Sequence, residues 1–328
     1  MKRKTCLLTC LLVACTAMAQ QEHIYALLLS GGRNKLYNHE RYWNDCAFVY
    51  STLRHDYRIP KENITLLMAD GDNPERDVLL NGGMGFASTA TDLDGDGVQE
   101  LTLAATLGNL KETVHRLSER LTASDHLFMF ITDHGELTAK GDVRLWLWGG
   151  ETITAHELAL QLSVLRPATM NLLLGQCYAG AFADCLRGDG RIVTSACGAA
   201  ELSWACPDRA YDEFVYHWTC AVARHDENGQ SVDADENRDG HVTMDEAFHY
   251  ASAHDRRPET PELMVTPLQL AARWSFDGVF SGDGISTMPC AQTTEEARFD
   301  LLGRRVGRQR HGVIRILQKK KAKKKMIQ

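Results

Sequence analysis

The sequence predicts an α/β fold with a mostly parallel central sheet, and three observations predict it. Short apolar runs alternate with helix-patterned segments along the chain. Several of those runs are apolar at every position, as strands covered on both faces are. Two of them run directly into residues that carry chemistry, at the carboxyl ends where open α/β sheets bind ligands.

Residues 23–30 (HIYALLLS) form the first strand, stopped by Gly31-Gly32. Over residues 38–57, Tyr42, Cys46, Val49 and Leu53 fall at i, i+4, i+7 and i+11, one apolar stripe of a helix. Residues 64–68 are a second strand, ended by Asp70-Gly71, and Leu110, Val114, Leu117 and Leu121 repeat the helical spacing. Residues 126–132 (HLFMFIT) are a third strand leading into Asp133-His134-Gly135, and 143–148 a further short one. Thr154 and Glu157 have the spacing of a capping box, opening a helix through Leu158 and Leu162. Residues 170–175 (MNLLLG) are a strand that runs into Gln176-Cys177; 192–196 is another, and a helix follows over about 212–222. The alternation fades after Gly284, which sets a main domain at 22–285 and a small C-terminal appendage at 290–328.

The two ends are biased. Lys2, Arg3 and Lys4 precede a short apolar run and an Ala17-Met18-Ala19 step, which is a signal peptide over residues 1–19. Leu12-Val13-Ala14-Cys15 offers a competing lipoprotein site at Cys15. Either places the protein outside the cytoplasm: secreted, periplasmic or at the cell surface. No segment has the length of a transmembrane helix. The net charge of −7 excludes nucleic acid as a main partner, since phosphate binding needs a basic footprint. Seven of the ten cysteines follow the signal segment, so at least one is unpaired within the chain, and no CxxC suggests zinc.

A thiol nucleophile needs a base and oxyanion donors. His134 and Cys177 each follow a strand, so neighbouring parallel strands would bring them together, His134 as base and Cys177 as nucleophile. The backbone N–H groups of Gly135 and Cys177 are the candidate oxyanion donors. No cofactor is needed for such chemistry, and the partner is a peptide or protein substrate.

The blocks around these residues carry a resemblance. Residues 127–135 (LFMFITDHG) and 171–180 (NLLLGQCYAG), separated so that 42 residues lie between His134 and Cys177, resemble the histidine and cysteine blocks of the legumain family of cysteine peptidases. Its clan also holds caspases and gingipains. Residues 31–47 (GGRNKLYNHERYWNDCA) and 59–64 (IPKENI) extend the resemblance over roughly 23–285. The resemblance implies a caspase-like three-layer α/β/α sandwich and a cysteine endopeptidase, with Asn38 orienting His134. It also implies that residues 191–204 line the specificity pocket, with Ser195, Glu201 and Ser203 as substrate-binding candidates. The family's Arg-His pair after the Tyr-Asn step is absent, and its acid two residues before the nucleophile is Gly175. Glu40 instead suggests a basic residue before the scissile bond. Two other functions share these residues: a peptide ligase using the same dyad, and a non-catalytic, calcium-stabilised binding protein.

Residues 235–246 (DENRDGHVTMDE) fit the EF-hand loop. Asp235, Asn237 and Asp239 stand at positions 1, 3 and 5, Gly240 at 6, His241 at 7, Thr243 at 9 and Glu246 at 12. Residues 92–100 (DLDGDGVQE) form a second acidic loop, with Asp92, Asp94, Asp96, the Val98 carbonyl and Glu100 as ligands. Both predict structural calcium. Residues 294–316 resemble a C-terminal sorting segment, with six lysines in the last ten residues beyond it.

Overall fold

The computed structural model describes residues 23–279. The signal segment, Cys15, Cys290 and the 290–328 appendage lie outside the described residues. The central sheet has six strands: β1 (Ile24–Ser30), β2 (Ile64–Met68), β5 (His126–Thr132), β9 (Thr169–Leu174), β10 (Arg191–Ser195) and β11 (Glu262–Thr266). Their spatial order is β11-β10-β9-β5-β1-β2. All neighbours are parallel except β10 and β11, so the sheet is mostly parallel, as expected, with one antiparallel edge.

Alternate residues of each strand face opposite layers. Leu28, Phe128, Phe130 and Leu173 pack with residues of α1 (Glu40–Ser51), α5 (Glu213–Ala223) and α6 (Met244–His254). Leu29, Met129, Ile131, Leu172 and Leu174 pack with α2 (Leu107–Arg120), α3 (Ala155–Leu162) and α4 (Ala179–Leu186). Helices therefore cover both faces, giving the three-layer α/β/α arrangement. The five consecutive apolar residues of β5, Leu127 to Ile131, are fully buried. Each such side chain stabilises the fold by about 1.5–3 kcal/mol, so slipping the strand by one residue would disrupt both cores together.

The predicted helices form, and the Thr154–Glu157 capping box closes in both directions at the start of α3. Small hairpins surround the sheet: β3 (Arg76–Leu79) with β4 (Phe86–Ser88), the meander β6 (Gly135–Leu137), β7 (Val143–Trp146) and β8 (Thr152–Thr154), and β12 (Trp274–Ser275) with β13 (Gly278–Val279). Most of these were not apparent in the sequence, because strands of two to four residues are too short to show a period. No helix of the described residues is long and apolar enough to cross a membrane.

Candidate active site

The strand register brings the two blocks together. Ile131 of β5 pairs with Leu174 of β9, and His134 and Cys177 each stand three residues beyond that pair. The approach is close enough to require glycine at 135. A Cβ there would lie 1.9 Å from the Cys177 carbonyl oxygen. His134 O accepts from Trp146 N–H, making 134 and 146 a hydrogen-bonded pair of the β6–β7 ladder. Pairs alternate along an antiparallel ladder, so Gly135, opposite Leu145, directs its N–H away from β7.

The His134 ring is held by three aromatic neighbours. Tyr37, His39 and Tyr42 stand edge-on to it at centroid distances of 5.7, 5.5 and 5.4 Å. Its Nε2 lies 3.0 Å from the Tyr37 carbonyl oxygen. A carbonyl only accepts, so that contact places the proton of a neutral ring on Nε2 and leaves Nδ1 as the basic nitrogen. The Tyr42 hydroxyl sits 3.3 Å from Nε2 and 3.5 Å from Nδ1. The expected Asn38 contact is not made. The buried Asn38 amide donates to Asp77, at 3.0 Å to Oδ2 and 3.3 Å to the carbonyl. The reason is the Asp77 carboxyl, which is buried and gathers donors from Asn38 and Thr89. The group oriented on His134 is thus the backbone carbonyl one residue earlier.

Burial is the largest influence on both members of the dyad. It lowers the His134 pKa below its ordinary value, opposed by the Tyr37 carbonyl. It raises that of the Cys177 thiol, opposed by the Ser203 backbone contact. At neutral pH the resting pair is therefore neutral imidazole and neutral thiol. Cys177 Sγ points to the Ser203 carbonyl at 3.7 Å.

Several acids surround the dyad. Asp133 has φ 117°, a backbone conformation that favours glycine. Its carboxyl accepts from the N–H groups of Gly32 and of His134. Burial pushes its pKa up to about 7. Asp212 receives Arg41 Nε at 2.8 Å and the Thr132 hydroxyl at 3.1 Å. Asp45 accepts from the Asp212 N–H, and burial pushes its carboxyl well above the usual range. Sequence reasoning did not single out Tyr37, Tyr42, Arg41, Asp133 or Asp212. Tyr42 was visible only as part of the apolar stripe of α1, and Asp133 only as part of the histidine block.

The substrate candidates separate. Ser203 meets the thiol through its carbonyl. Glu40 lines an open cleft of about 400 Å³ with His39, Arg41, Asn81, Ala205 and Arg209. Its carboxylate accepts the Asn81 N–H at 2.9 Å, which ties down the turn after β3. Ser195 is fully buried, since it closes β10 beneath the site. The Glu201 carboxylate is taken up by Gly198 N–H and by the N–H and hydroxyl of Thr260. Neither of these two side chains is presented to a substrate.

One stretch of chain beside the thiol is left open. Trp204 O accepts from Glu213 N–H, and Cys206 N–H donates to Tyr211 O, around an antiparallel bridge between Ala205 and Asp212. In that pattern Ala205 is the non-bonded partner, so its own N–H and C=O point the other way. Ser203 and Ala205 therefore present peptide groups along an unpaired edge that begins at Cys177.

Both acidic loops wrap in the same way. The first aspartate of each, Asp92 or Asp235, accepts the N–H of the glycine five residues on, Gly97 at 2.9 Å or Gly240 at 2.8 Å. The Asp92, Asp94, Asp96 and Glu100 carboxylates lie within 4.8 Å of one another, and Val98 N–H donates to Asp96. In the other loop Asn237 and Asp239 turn inward, Asn237 Oδ1 accepting from Asp239 N–H. Thr243 caps α6, and Glu246 completes that capping box through Oε2 while its Oε1 accepts the Asn237 N–H at 3.2 Å within the loop. The His241 ring pairs with Asp277.

Comparison with known families matches residues 24–255 to the Peptidase C13 family. A search of curated proteins returns no significant match.

Proposed function

From the premise that this chain belongs to the Peptidase C13 family, and is a cysteine peptidase in the broad sense, we propose that it is an endopeptidase working through Cys177 and His134. The observation that carries this reading is the open edge at Ser203 and Ala205 beginning at the Cys177 thiol. An extended peptide adds to such an edge by main-chain hydrogen bonds, which would lay its carbonyl carbon over the sulfur.

His134 Nδ1 removes the thiol proton as Sγ attacks, so the thiolate forms only as it is used. The oxyanion is held by the N–H groups of Gly135 and Cys177, which are fixed before the reaction begins. His134 then protonates the leaving amine, and water opens the acyl-enzyme. The cleft holding Glu40, Arg41 and His39 lies beside Ala205 and would receive a substrate side chain. With Glu40 and Arg41 both on its wall, a purely basic preference loses its main support.

The test is cleavage of a fluorogenic peptide library by the purified protein, with Cys177→Ala and His134→Ala as comparisons. Turnover lost in both variants supports the reading. Turnover retained in Cys177→Ala would overturn it. An amine acceptor in the same assay separates ligation from hydrolysis.

The proposal extends to calcium. The 92–100 carboxylates would hold a hard cation by oxygen ligands, and the 235–246 loop, with Glu246 already against Asn237, would hold a second. Calcium that raises the melting temperature of the wild type, and less so of Asp92→Ala and Glu246→Ala, is the expected result. Identical melting with calcium and with chelator would refute it. An extracytoplasmic site of action, proposed from the first nineteen residues, agrees with millimolar calcium. Fractionation of cells expressing the full chain tests it.

A further inference from the structure

We infer that residues 256–260 act as a clamp that positions the substrate-binding edge, with Glu259 as its central positioning residue. The short segment grips the site loop at successive points. Arg256 Nε reaches the buried Glu213 at 2.9 Å, at the start of α5. The Arg257 guanidinium lies 5.2 Å from the centre of the Trp204 ring. Glu259 Oε2 accepts the Trp204 N–H at 3.0 Å. Thr260 donates its N–H and its hydroxyl to the two oxygens of Glu201, at 2.8 and 3.0 Å. Glu201 in turn accepts the N–H of Tyr178, the residue after the nucleophile, on its own carbonyl at 2.8 Å. The segment thus holds both walls of the thiol, the 203–205 edge and the 177–178 turn.

Glu259 has the features of a group kept for position. It is 6% exposed, and besides the Trp204 N–H its carboxyl has the Ser203 side chain as a hydrogen-bonding neighbour, so it meets two successive residues of the edge. A carboxyl buried this deeply is costly to stability unless its partners are kept, and both of these partners lie on the edge. The Glu259–Trp204 bond directs the Trp204 N–H inward, and because peptide groups alternate along an extended segment, those of Ser203 and Ala205 face the other way, toward substrate. Burial pushes the Glu259 pKa up to about 9, so the contact is made by a neutral acid at physiological pH. Pro258 and Pro261 flank the pair 259–260 and fix φ on either side of it.

The effect on substrate rests on the peptidase reading; the effect on the edge itself does not, and the experiment keeps the two apart. Glu259→Ala and Glu259→Gln are compared with wild type for KM and kcat on the best single fluorogenic peptide from a library. Amide hydrogen exchange is measured over the peptide covering residues 200–206. Glutamine keeps an acceptor for Trp204 N–H, and alanine does not. Glu259→Ala should raise KM about tenfold or more and speed exchange at Trp204 by a similar factor, as expected for a lost hydrogen bond to a buried group. Glu259→Gln should restore both, and kcat should change much less than KM. Unchanged exchange in Glu259→Ala, or equal impairment in both variants, overturns the clamp. If the wild type cleaves no peptide, the peptidase reading fails and exchange alone decides the clamp. Glu259→Asp, one methylene short of Trp204, replaces the alanine variant if that does not fold.

Discussion

Replacing Gly135 by alanine tests the contact between the two strand ends. The added methyl would lie 1.9 Å from the Cys177 carbonyl oxygen and 2.8 Å from its carbon. Both contacts are with backbone, so no side chain can swing aside. One strand end must retreat by about 1 Å, and a misplacement of that size costs on the order of a hundredfold in rate. His134 is the adjacent residue and moves with it. Gly135 does not have a positive φ, so the penalty is steric rather than conformational. Overpacking of this kind costs about 1–3 kcal/mol of stability, too little to unfold a domain with two full cores. The assay is kcat/KM on a fluorogenic peptide beside a thermal melt. Gly108→Ala is the control, because its methyl would meet only the Thr106 hydroxyl at 3.9 Å. Gly135→Ala should fall at least about a hundredfold in kcat/KM while still melting cooperatively. A variant within about threefold of wild type, a difference of under 1 kcal/mol in the barrier, would refute the claim that these backbones set the dyad.

Three other outcomes follow from the same geometry. The basic form of His134 is the active one and burial lowers its pKa, so the acid limb of kcat/KM should have its midpoint below the ordinary value of about 6.5; a midpoint above 7 would contradict it. Asp133 keeps its proton when folded up to about pH 7 but loses it near pH 3.9 when unfolded. Its contribution is therefore complete below pH 3.9 and lost as pH rises through 7, and wild type should lose roughly 3–5 kcal/mol relative to Asp133→Asn across that window. Urea titrations of the two proteins at pH 4 and pH 7.5 check this, and a constant difference between them would refute it. Asp212→Ala removes the partner of Arg41, whose side chain is only 23% exposed. Stranding a mostly buried cation should cost about 3 kcal/mol by urea unfolding, and Asp212→Asn, which keeps an acceptor, should cost less.

The sequence made the frame of the site legible because that frame is built from apolar runs. Strands β5 and β9 are apolar at nearly every position, and His134 and Cys177 follow them directly, so the topology alone brings the two together. The contacts that tune the dyad are of another kind. Tyr37 acts through a backbone carbonyl, which every residue has, so no residue type marks it. Asn38 beside it carries the more suggestive side chain and is spent on Asp77. The clamp at 256–260 meets residues 201, 204 and 213 across the fold, and reaches 178 through Glu201; contacts between distant segments leave no local pattern. Glu201 looked like a substrate ligand because it sits in the pocket loop; its carboxylate is satisfied internally by Gly198 and Thr260.

The most direct test of the central claim is covalent capture by a peptidyl acyloxymethyl ketone, with the modified residue mapped by mass spectrometry in wild type and in His134→Ala. A neutral thiol beside a neutral imidazole predicts slow reaction with iodoacetamide at pH 7 but rapid capture by the peptide electrophile. That capture should be confined to Cys177 and lost in His134→Ala. Label spread over several cysteines, or capture at Cys177 that is indifferent to His134, would contradict the account.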